Sequence, residues 1–369
     1  MKAEDGERDL EQDRKQDRKR TGGPVGEADW QAPGARVYFR SSEDMTAVAD
    51  ESVDVIVTSP PYNRGKTYSG DDAGRHDDRL PEADYRALLR RVFGECLRVL
   101  RSDGVFFLNI GDSATDPGKS ELVLAEAKAA GFHFLQEVIW VKSLLGRGHY
   151  TPSGGTRRLN NLWESVFVLV KHRKRYRFDT KAIGIPYVDK SNIGRYSESD
   201  LRDPGNVWLI PYRKTTGKTI KKGHDAPFPV ELARRCIRLV PEAEVVLDPF
   251  LGTGSTLAAA RSLGLEGIGY ERYPRRELIR QTILGPSEDS EPQPLLPHLE
   301  ASVALLAAAL EAELGRDGES TSGPALEGLV KQAGTKAGRT RLEVVQSVLR
   351  DLAVAPALQR RLAELLGAP

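Results

Sequence analysis

A proline-rich motif follows the first strongly apolar run of the chain. Residues 58–63 read TSPPYN and come directly after the β-branched run Val53–Val57, which predicts a buried strand. The two prolines fix their own φ angles and lack N–H donors, so their carbonyl groups remain as acceptors on a stiff arch. Ser59 adds a hydroxyl oxygen to these acceptors, and Tyr62 adds an aromatic face. Such an arch suits an exocyclic amine on a flat base; the alternative is an ordinary corner between a strand and a loop.

A glycine-bearing loop is the second group of residues that could do chemistry. Residues 248–256 read DPFLGTGST, after a predicted strand and at the start of a predicted helix. Gly252 and Gly254 let the backbone approach a ligand closely, and the helix N-terminus offers N–H groups to an anion. Glu271 ends the next predicted strand, where a carboxylate can accept both hydroxyls of a ribose. Because Leu257 stands where the NAD fingerprint has its third glycine, we expect either another nucleoside-bearing cofactor or a plain glycine-rich turn.

The apolar pattern predicts the elements that must position these two motifs. Short β-branched runs alternate with amphipathic segments of helical period, an order typical of a parallel sheet with flanking helices. We therefore predict an α/β fold. The predicted strands are 53–57, 105–110, 134–141, 166–170, 244–247 and 267–270, and the predicted helices are 81–100, 122–130, 229–239 and 254–263.

Composition argues against several other classes of protein. The chain has 369 residues, of which 39% are hydrophobic and 29% charged, as expected for a folded protein with a sizeable core. It has no apolar run of about 18 residues, so we predict no membrane span. The two cysteines, Cys96 and Cys236, rule out a disulfide scaffold or a cysteine-rich zinc site and fit a reducing cytoplasm. The first 20 residues carry 7 basic and 7 acidic side chains without an apolar stretch, so they do not predict a secretory signal.

Charge and composition change along the chain and suggest five regions. Residues 141–224 contain 18 Lys or Arg and 6 Asp or Glu, an excess of positive charge that predicts a polyanionic partner. The same part of the chain is rich in Gly, Pro, Tyr and Ser, which is typical of an insertion of loops and short strands. The predicted regions are a disordered charged segment (1–33), the half of the main domain that carries the proline-rich motif (34–142), a basic insertion (143–222), the half that carries the glycine-bearing loop (223–285), and a linker with C-terminal helices (286–369).

Together the two motifs carry a resemblance to a known family. TSPPY followed by DPFLGTGST resembles the S-adenosylmethionine-dependent amino-methyltransferases of DNA, in which (D/N/S)PP(Y/F) is the catalytic motif and FxGxG the cofactor motif. The catalytic motif comes first here, which resembles the β class of that family. The resemblance implies a Rossmann-like methyltransferase sheet with circularly permuted motif order, an inserted target-recognition region and a C-terminal helical extension. Further similar stretches are 104–112, 137–143, 205–212 and 223–237, whereas residues 39–42 depart from the Gly-Asp-Ser or Gly-Asp-Cys of many members.

The resemblance also implies a reaction and a set of site residues. Ser59 and the run 151–164 are similar to members that methylate N4 of cytosine, with S-adenosylmethionine as the cofactor and no metal. In that reaction Ser59 Oγ and the Pro60 carbonyl would accept the amine N–H groups, while Tyr62 stacks on the extruded base. Glu271 would bind the cofactor ribose. The implied catalytic residues are Ser59, Pro60, Pro61 and Tyr62, and the implied cofactor-binding residues are Asp248, Pro249, Phe250, Gly252, Thr253, Gly254, Ser255, Thr256, Glu271, His224, Phe228 and Pro229.

Duplex DNA is the implied partner, and the basic region would supply its phosphate contacts. The candidate DNA-binding residues are Arg157, Arg158, Lys171, Arg173, Lys174, Arg175, Arg195, Arg213 and Lys214. The family also suggests a cognate restriction endonuclease, a monomer or homodimer, and a bacterial or archaeal cytoplasm. Three alternatives stay open: an N6-adenine methyltransferase of the same fold, an RNA methyltransferase, and a catalytically idle DNA-binding module. A cytosine-C5 enzyme is disfavoured because neither cysteine follows a proline, and His224 could equally be a surface histidine.

Overall fold

The computed structural model describes residues 26–65, 67–69, 71, 75–112, 116–142, 161–187, 190–195, 197–210 and 228–285. The predicted linker and C-terminal helices (286–369) lie outside the described residues, as do residues 1–25 of the predicted N-terminal segment. The chain divides into two compact units, and each is described by itself. The first comprises Met1–Gly184 and Asp203–Ser290, and the second comprises Ile185–Arg202 and Glu291–Pro369.

The first unit is built on one large sheet with helices on both faces, so the predicted α/β class is confirmed. Its strands are β1 (Trp30–Ala32), β2 (Ala35–Tyr38), β3 (Val53–Thr58), β4 (Thr67–Ser69), β5 (Arg75–Asp77), β6 (Leu100–Ile110), β7 (His133–Val141), β8 (Trp163–Val170), β9 (Val207–Leu209), β10 (Val245–Asp248) and β11 (Glu266–Tyr270). Its helices are α1 (Glu82–Val99), α2 (Lys119–Ala129), α3 (Val230–Arg238), α4 (Ser255–Ser262) and α5 (Arg276–Leu284), with a 3-10 turn at Thr180–Ile183. None of the described helices is long and apolar enough to cross a membrane.

The order of the strands brings the two halves of the chain side by side. The nine-stranded sheet runs β1-β2-β11-β10-β3-β6-β8-β7-β9, and β4 and β5 form a separate hairpin. The strands from β2 to β6 in this order are parallel, whereas β8 is antiparallel to both of its neighbours. β3 and β10 are therefore neighbours in the sheet, although most of the first unit separates them in sequence.

Alternation along β3 divides its side chains between two hydrophobic cores. All six residues of this strand are buried, as expected for a central strand of a parallel sheet that is covered on both faces. Ile56 packs with α1 and α2 on one face, while Val55 and Val57 pack with α3 and α4 on the other. The sheet thereby holds β3 rigidly from both sides, and the motif that follows the strand starts from a fixed point.

A buried carboxylate ties β3 to β10 at the amino ends of the two strands. Asp54 is 6% exposed, and its Oδ2 accepts the N–H groups of Glu244 and Val245, each at 2.9 Å. Its Oδ1 forms an ion pair with Arg177. A charge buried in this way needs such partners. The one acidic residue of the β-branched run therefore fixes how β10 lies beside β3.

Two predicted region boundaries differ from the observed sheet. β8 lies inside the predicted insertion 143–222, yet it pairs in the sheet between β6 and β7. That range is therefore not an insertion throughout. β1 likewise lies inside the predicted disordered segment 1–33 and pairs with β2 at the edge of the sheet.

The second unit is described over residues 185–187, 190–195 and 197–202. Ile185 and Arg202 form an antiparallel bridge that closes this segment, and Lys190–Asn192 is a 3-10 turn. The Asp200 carboxylate accepts the N–H of Tyr187 at 2.9 Å and pairs with Lys190 at 2.5 Å. The segment is thus a small loop held by its own hydrogen bonds.

Candidate active site

The two motifs found in the sequence meet at the carboxyl ends of two central strands. β3 and β10 pair in parallel, with Val55 opposite Val246 and Ile56 opposite Leu247. The carboxyl ends of both strands therefore lie together, and Ser59 and Pro249 are the residues that follow them. Clefts at the carboxyl ends of parallel strands are where ligands bind in open α/β sheets. The fold thus brings the proline arch and the glycine-bearing loop to one place.

A buried aspartate joins the two motifs directly. Thr58 Oγ1 donates to Asp248 Oδ1 at 2.5 Å, and Thr256 Oγ1 donates to Asp248 Oδ2 at 2.6 Å. The N–H of Phe250 also donates to Asp248 Oδ1, at 3.0 Å. Burial raises the pKa of Asp248 to about 6, and the hydrogen bonds from Thr256 and Thr58 oppose that rise. One carboxylate therefore connects the end of β3, the glycine-bearing loop and the first turn of α4.

This arrangement changes what Asp248 and Thr256 can do for a ligand. The two side chains are 1% and 0% exposed, and their polar atoms face each other and β3. They were predicted to contact a cofactor, but the structure uses them to shape the loop that would do so. Pro249 is also buried, whereas Phe250 is partly exposed beside the core.

The shape of the loop depends on its two glycines. Gly252 has φ +57° and Gly254 has φ +97°, a region that favours glycine, and α4 begins at the next residue. A Cβ at Gly254 would lie 3.0 Å from Ile283 Cγ1, so a side chain there would also crowd Ile283. Glu271 Oε2 accepts the Gly252 N–H, and Oε1 accepts the Tyr273 N–H, each at 2.8 Å. Each oxygen of Glu271 keeps a lone pair with which to accept a hydroxyl.

Thr253 brings a buried hydroxyl without a partner to the same loop. It is 7% exposed, and its Oγ1 makes no hydrogen bond within the described part of the chain. A buried polar atom without a partner is unfavourable, so a ligand group that bonds to it would be stabilising. Ser255 is buried at the start of α4 beside it. Thr253 and Glu271 together therefore fit a cofactor that carries both a ribose and a polar chain.

Two side chains, those of Tyr85 and Asn63, hold the proline arch in place. Tyr85 Oη donates to the Pro61 carbonyl at 2.8 Å from the first turns of α1. Asn63, at φ +56°, donates from Nδ2 to the Leu80 carbonyl at 2.9 Å and accepts the Leu80 N–H at 2.6 Å. The Pro61 carbonyl is therefore engaged, and the arch has a fixed shape. Ser59 is half-buried and Pro60 is buried at its start.

Tyr62 lies at the centre of a polar cluster. Its Oη donates to Glu164 Oε2 at 3.2 Å, and the Arg64 guanidinium lies over its ring at 4.4 Å from the centroid. Lys142 Nζ pairs with Glu164 Oε1 at 2.8 Å. Burial raises the pKa of Tyr62 well above its usual value, so its hydroxyl stays protonated. The aromatic ring predicted from the sequence is thus held by Glu164 at the start of β8 and by Arg64 of its own loop.

Some predicted site residues lie elsewhere or outside the described residues. Phe228 and Pro229 are half-buried just before α3, which packs against α4 on one face of the sheet. Arg195 lies in the second unit, where its N–H donates to the Asn192 carbonyl. Outside the described residues lie His224, Arg157, Arg158, Arg213 and Lys214.

The basic turn after β8 and Ser59 lie at opposite ends of the strands of the sheet. Lys171 Nζ donates to the carbonyl of Leu100, the first residue of β6, at 2.6 Å and pairs with Glu51 at 3.0 Å. Because β8 is antiparallel to β6, this turn lies at the amino ends of the parallel strands, roughly 25 Å from the arch at 3.3 Å per residue. Lys171, Arg173, Lys174 and Arg175 are therefore too far away to contact a base held by Ser59. Their role in binding phosphates stays a prediction.

Several residues of the site were not predicted as site residues from the sequence. The sequence indicates Thr58 only as the start of the motif, and Tyr85 only as part of a helix. Lys142 and Glu164 lie just outside the predicted strands 134–141 and 166–170, and neither is predicted as a site residue. Their one sequence signal is that each stands at the end of an apolar strand, where a polar side chain is not needed for packing.

Comparison with known proteins gives one family. A family model described as DNA methylase matches residues 53–281. The chain is 27% identical to the type II methyltransferase M.HpaI of Haemophilus parainfluenzae over 224 residues, which are 60% of this chain and 65% of that protein. It is 29% identical over 262 residues to the type II methyltransferase M.ScaI of Streptomyces caespitosus, covering 67% and 80%. The chain thus spans slightly less than two thirds of M.HpaI.

A solved structure shares the fold. The PvuII DNA methyltransferase (cytosine-N4-specific) superposes with a TM-score of 0.50 at 16% identity, over 71% of this chain and 97% of that one. At this identity the likeness concerns the fold alone. The described sheet therefore agrees with the Rossmann-like arrangement that the motifs implied.

Removing the ionisable group at position 248 should change how stability depends on pH. The pKa of Asp248 is about 6 in the folded protein against an ordinary value of 3.8, so the folded state holds the proton more tightly. Its contribution to stability is complete below the unfolded pKa and is lost as the pH rises through the folded pKa. We expect wild type, relative to Asp248→Asn, to lose about 3 kcal/mol between roughly pH 3.5 and pH 7. Urea unfolding at a series of pH values measures this difference.

Asp84→Asn is the matched control, because Asp84 is exposed on α1. It should retain the wild-type pH profile. Parallel profiles for wild type and Asp248→Asn would contradict the assignment of the raised pKa to this carboxylate.

Proposed function

The chain belongs to the DNA methylase family, and we propose that it transfers the methyl group of S-adenosylmethionine to the exocyclic N4 amine of a flipped-out cytosine in duplex DNA. One observation carries the proposal. The arch that begins at Ser59 and the loop that ends at Gly254 lie at the carboxyl ends of neighbouring strands and are joined through Thr58 and Asp248. An acceptor for an amine and a loop for a nucleoside-bearing cofactor are thus next to each other.

The chemistry proposed for the arch follows from its acceptors. The cytosine amine is a poor nucleophile because its lone pair is conjugated with the ring. Hydrogen bonds from its N–H groups to Ser59 Oγ and the Pro60 carbonyl would favour a pyramidal nitrogen and take up the positive charge that develops on it. Tyr85 supports this role, since it engages the neighbouring Pro61 carbonyl and keeps the arch in one shape.

The cofactor would be held by the other loop. S-adenosylmethionine, when bound, supplies a methyl group that its sulfonium charge has already activated. Glu271 would accept the ribose hydroxyls through its remaining lone pairs, and the buried Thr253 hydroxyl would gain a partner in the methionine part. Asp248 and Thr256 would act by holding the loop in shape.

The substrate proposal rests on Ser59 and on the family. Serine in place of an acidic residue at the start of the motif favours cytosine N4 over adenine N6. The description of the family, DNA methylase, supports DNA as the substrate, and a cognate restriction endonuclease is proposed as a partner because the relatives are type II methyltransferases. Flipping the base would cost a few kcal/mol, and stacking on Tyr62, worth about 1–3 kcal/mol, would offset part of that.

The product should identify the target atom. Unmethylated duplex DNA and, in a separate reaction, RNA are incubated with the purified protein and S-adenosylmethionine labelled in the methyl group, and the nucleosides of each are then identified by mass spectrometry. We expect the label in N4-methylcytosine. Label in N6-methyladenine would contradict the cytosine assignment and leave the arch and the cofactor loop in their roles. Label in RNA alone, or in neither nucleic acid, would contradict the proposal as a whole.

Two substitutions should separate the arch from the cofactor loop. Ser59→Ala should lower the single-turnover methylation rate by about 100-fold, because a group that takes up developing charge is lost, while cofactor affinity stays the same. Glu271→Gln should instead weaken cofactor binding by about tenfold, as measured by titration calorimetry, because one charged acceptor is lost.

Matched controls stand at the other ends of the same strands. Ser52 precedes β3 and donates to the Ala49 carbonyl, and Glu266 begins β11 and pairs with Arg36. Ser52→Ala and Glu266→Gln should leave both the rate and the affinity close to wild type. A Ser59→Ala protein with wild-type turnover, or a Glu271→Gln protein with unchanged affinity, would contradict the role given to that residue.

A further inference from the structure

A β-hairpin follows the proline arch and is fixed at its base. Its strands β4 and β5 pair in antiparallel fashion, with Thr67 opposite Asp77. Asn63, the last residue of the motif, donates from Nδ2 to the Leu80 carbonyl and accepts the Leu80 N–H, so two hydrogen bonds join the ends of this segment. The hairpin therefore leaves the arch in a defined direction.

Asp71, between the two strands of the hairpin, contacts the turn that follows β11. Its N–H donates to the Pro274 carbonyl at 2.8 Å, and its Oδ2 accepts the N–H of Arg276 at 2.7 Å. Asp71 is exposed, whereas Pro274 is buried. These hydrogen bonds join the segment after the arch to the segment after Glu271, although Asp71 and Arg276 are 205 positions apart in the sequence.

The carboxylate of Asp71 also caps α5. Arg276 is the first residue of this helix, so its N–H has no acceptor within the helix. Arg275 precedes the helix and cannot supply one, because a guanidinium only donates hydrogen bonds. An acidic side chain at a helix N-terminus is stabilising, both as an acceptor and through the helix dipole. Asp71 thus holds the start of α5 from another part of the chain.

The segment held in this way carries groups of the cofactor site at both of its ends. At one end Glu271 accepts the N–H groups of Gly252 and Tyr273, each at 2.8 Å. At the other end α5 packs against the glycine-bearing loop, where Ile283 Cγ1 lies 3.0 Å from the position that a Cβ at Gly254 would take. A displacement of this segment would therefore move the Glu271 carboxylate relative to the loop.

We infer that Asp71 is a positioning residue for the ribose end of the cofactor site. It keeps the Glu271 carboxylate beside the glycine-bearing loop by holding the backbone at Pro274 and Arg276. The inference rests on the proposed function, because the ribose hydroxyls are what Glu271 would accept. Since Asp71 belongs to the hairpin that leaves the arch, it also connects the amine side of the site to the cofactor side.

Asp71→Ala tests this role by cofactor binding. Titration calorimetry with S-adenosylhomocysteine should show an affinity about fivefold to tenfold below wild type, because Glu271 is no longer held where it accepts both hydroxyls. For the 2′,3′-dideoxy analogue the same substitution should change the affinity less than about twofold. Asp84→Ala, at an exposed position on α1, is the control and should bind both ligands as wild type does. Equal losses for both ligands in Asp71→Ala would overturn the inference.

Two substitutions at Arg276 test the hydrogen bond itself. Proline is tolerated at the first position of a helix and lacks the N–H that Asp71 accepts. Arg276→Ala has lost the same side chain but keeps this N–H. We therefore expect Arg276→Pro to bind S-adenosylhomocysteine about fivefold to tenfold more weakly than Arg276→Ala. Equal affinities of the two proteins would overturn the inference.

Hydrogen exchange measured by NMR without cofactor separates this inference from the proposed function. In Asp71→Ala and Arg276→Pro, the amide protons of Gly252 and Tyr273 should exchange about tenfold faster than in wild type, because their acceptor is less firmly held. Faster exchange confined to the first turn of α5 would assign Asp71 a capping role alone and overturn the inference, even in a protein that methylates cytosine. The expected exchange in a protein that does not bind S-adenosylhomocysteine would support the inference, while the proposed function would fail.

Discussion

The hydrogen bonds around the buried Asp248 carboxylate are the constraint on which the site depends. A charge buried at this depth is strongly unfavourable unless donors surround it. Its donors come from Thr58, Thr256 and the Phe250 N–H, which belong to three different parts of the fold. Satisfying one carboxylate therefore fixes the end of β3, the glycine-bearing loop and the start of α4 relative to one another. Transfer of a methyl group to an amine requires the donor and the acceptor to be held in a fixed relative geometry.

The order of the strands in the sheet makes this contact possible, and side chains from neighbouring elements complete the site. Because β3 and β10 are adjacent, two motifs that are far apart in the sequence lie together at the carboxyl ends of these strands. The arch then takes support from α1 through Tyr85 and from β8 through Glu164. The site is thus built on the ends of rigid elements. Its chemistry needs acceptors in fixed positions more than it needs a nucleophile or a shifted general base.

The sequence predicts the long helices and strands and the two motifs better than it predicts the short strands and the way the strands pair. The run Val53–Val57 and the helical period of 81–100 are strong local signals, and both elements occur within one residue of their predicted ends. β1, β9 and the β4–β5 hairpin are too short for such a signal. The antiparallel direction of β8 depends on tertiary pairing, which no local pattern reports. For that reason the sequence does not indicate that the basic turn at Lys171 lies at the amino ends of the parallel strands, away from the arch.

The most direct test of the Asp248 bridge is the single-turnover methylation rate of Thr58→Val at saturating S-adenosylmethionine. Valine keeps the shape and removes the donor to Asp248, while Thr256 and Phe250 still hold the loop. We expect cofactor affinity near wild type and a rate lower by about tenfold to 100-fold, because the arch and the loop lose their alignment. The exposed Thr46→Val serves as the control. A wild-type rate in Thr58→Val would contradict the account.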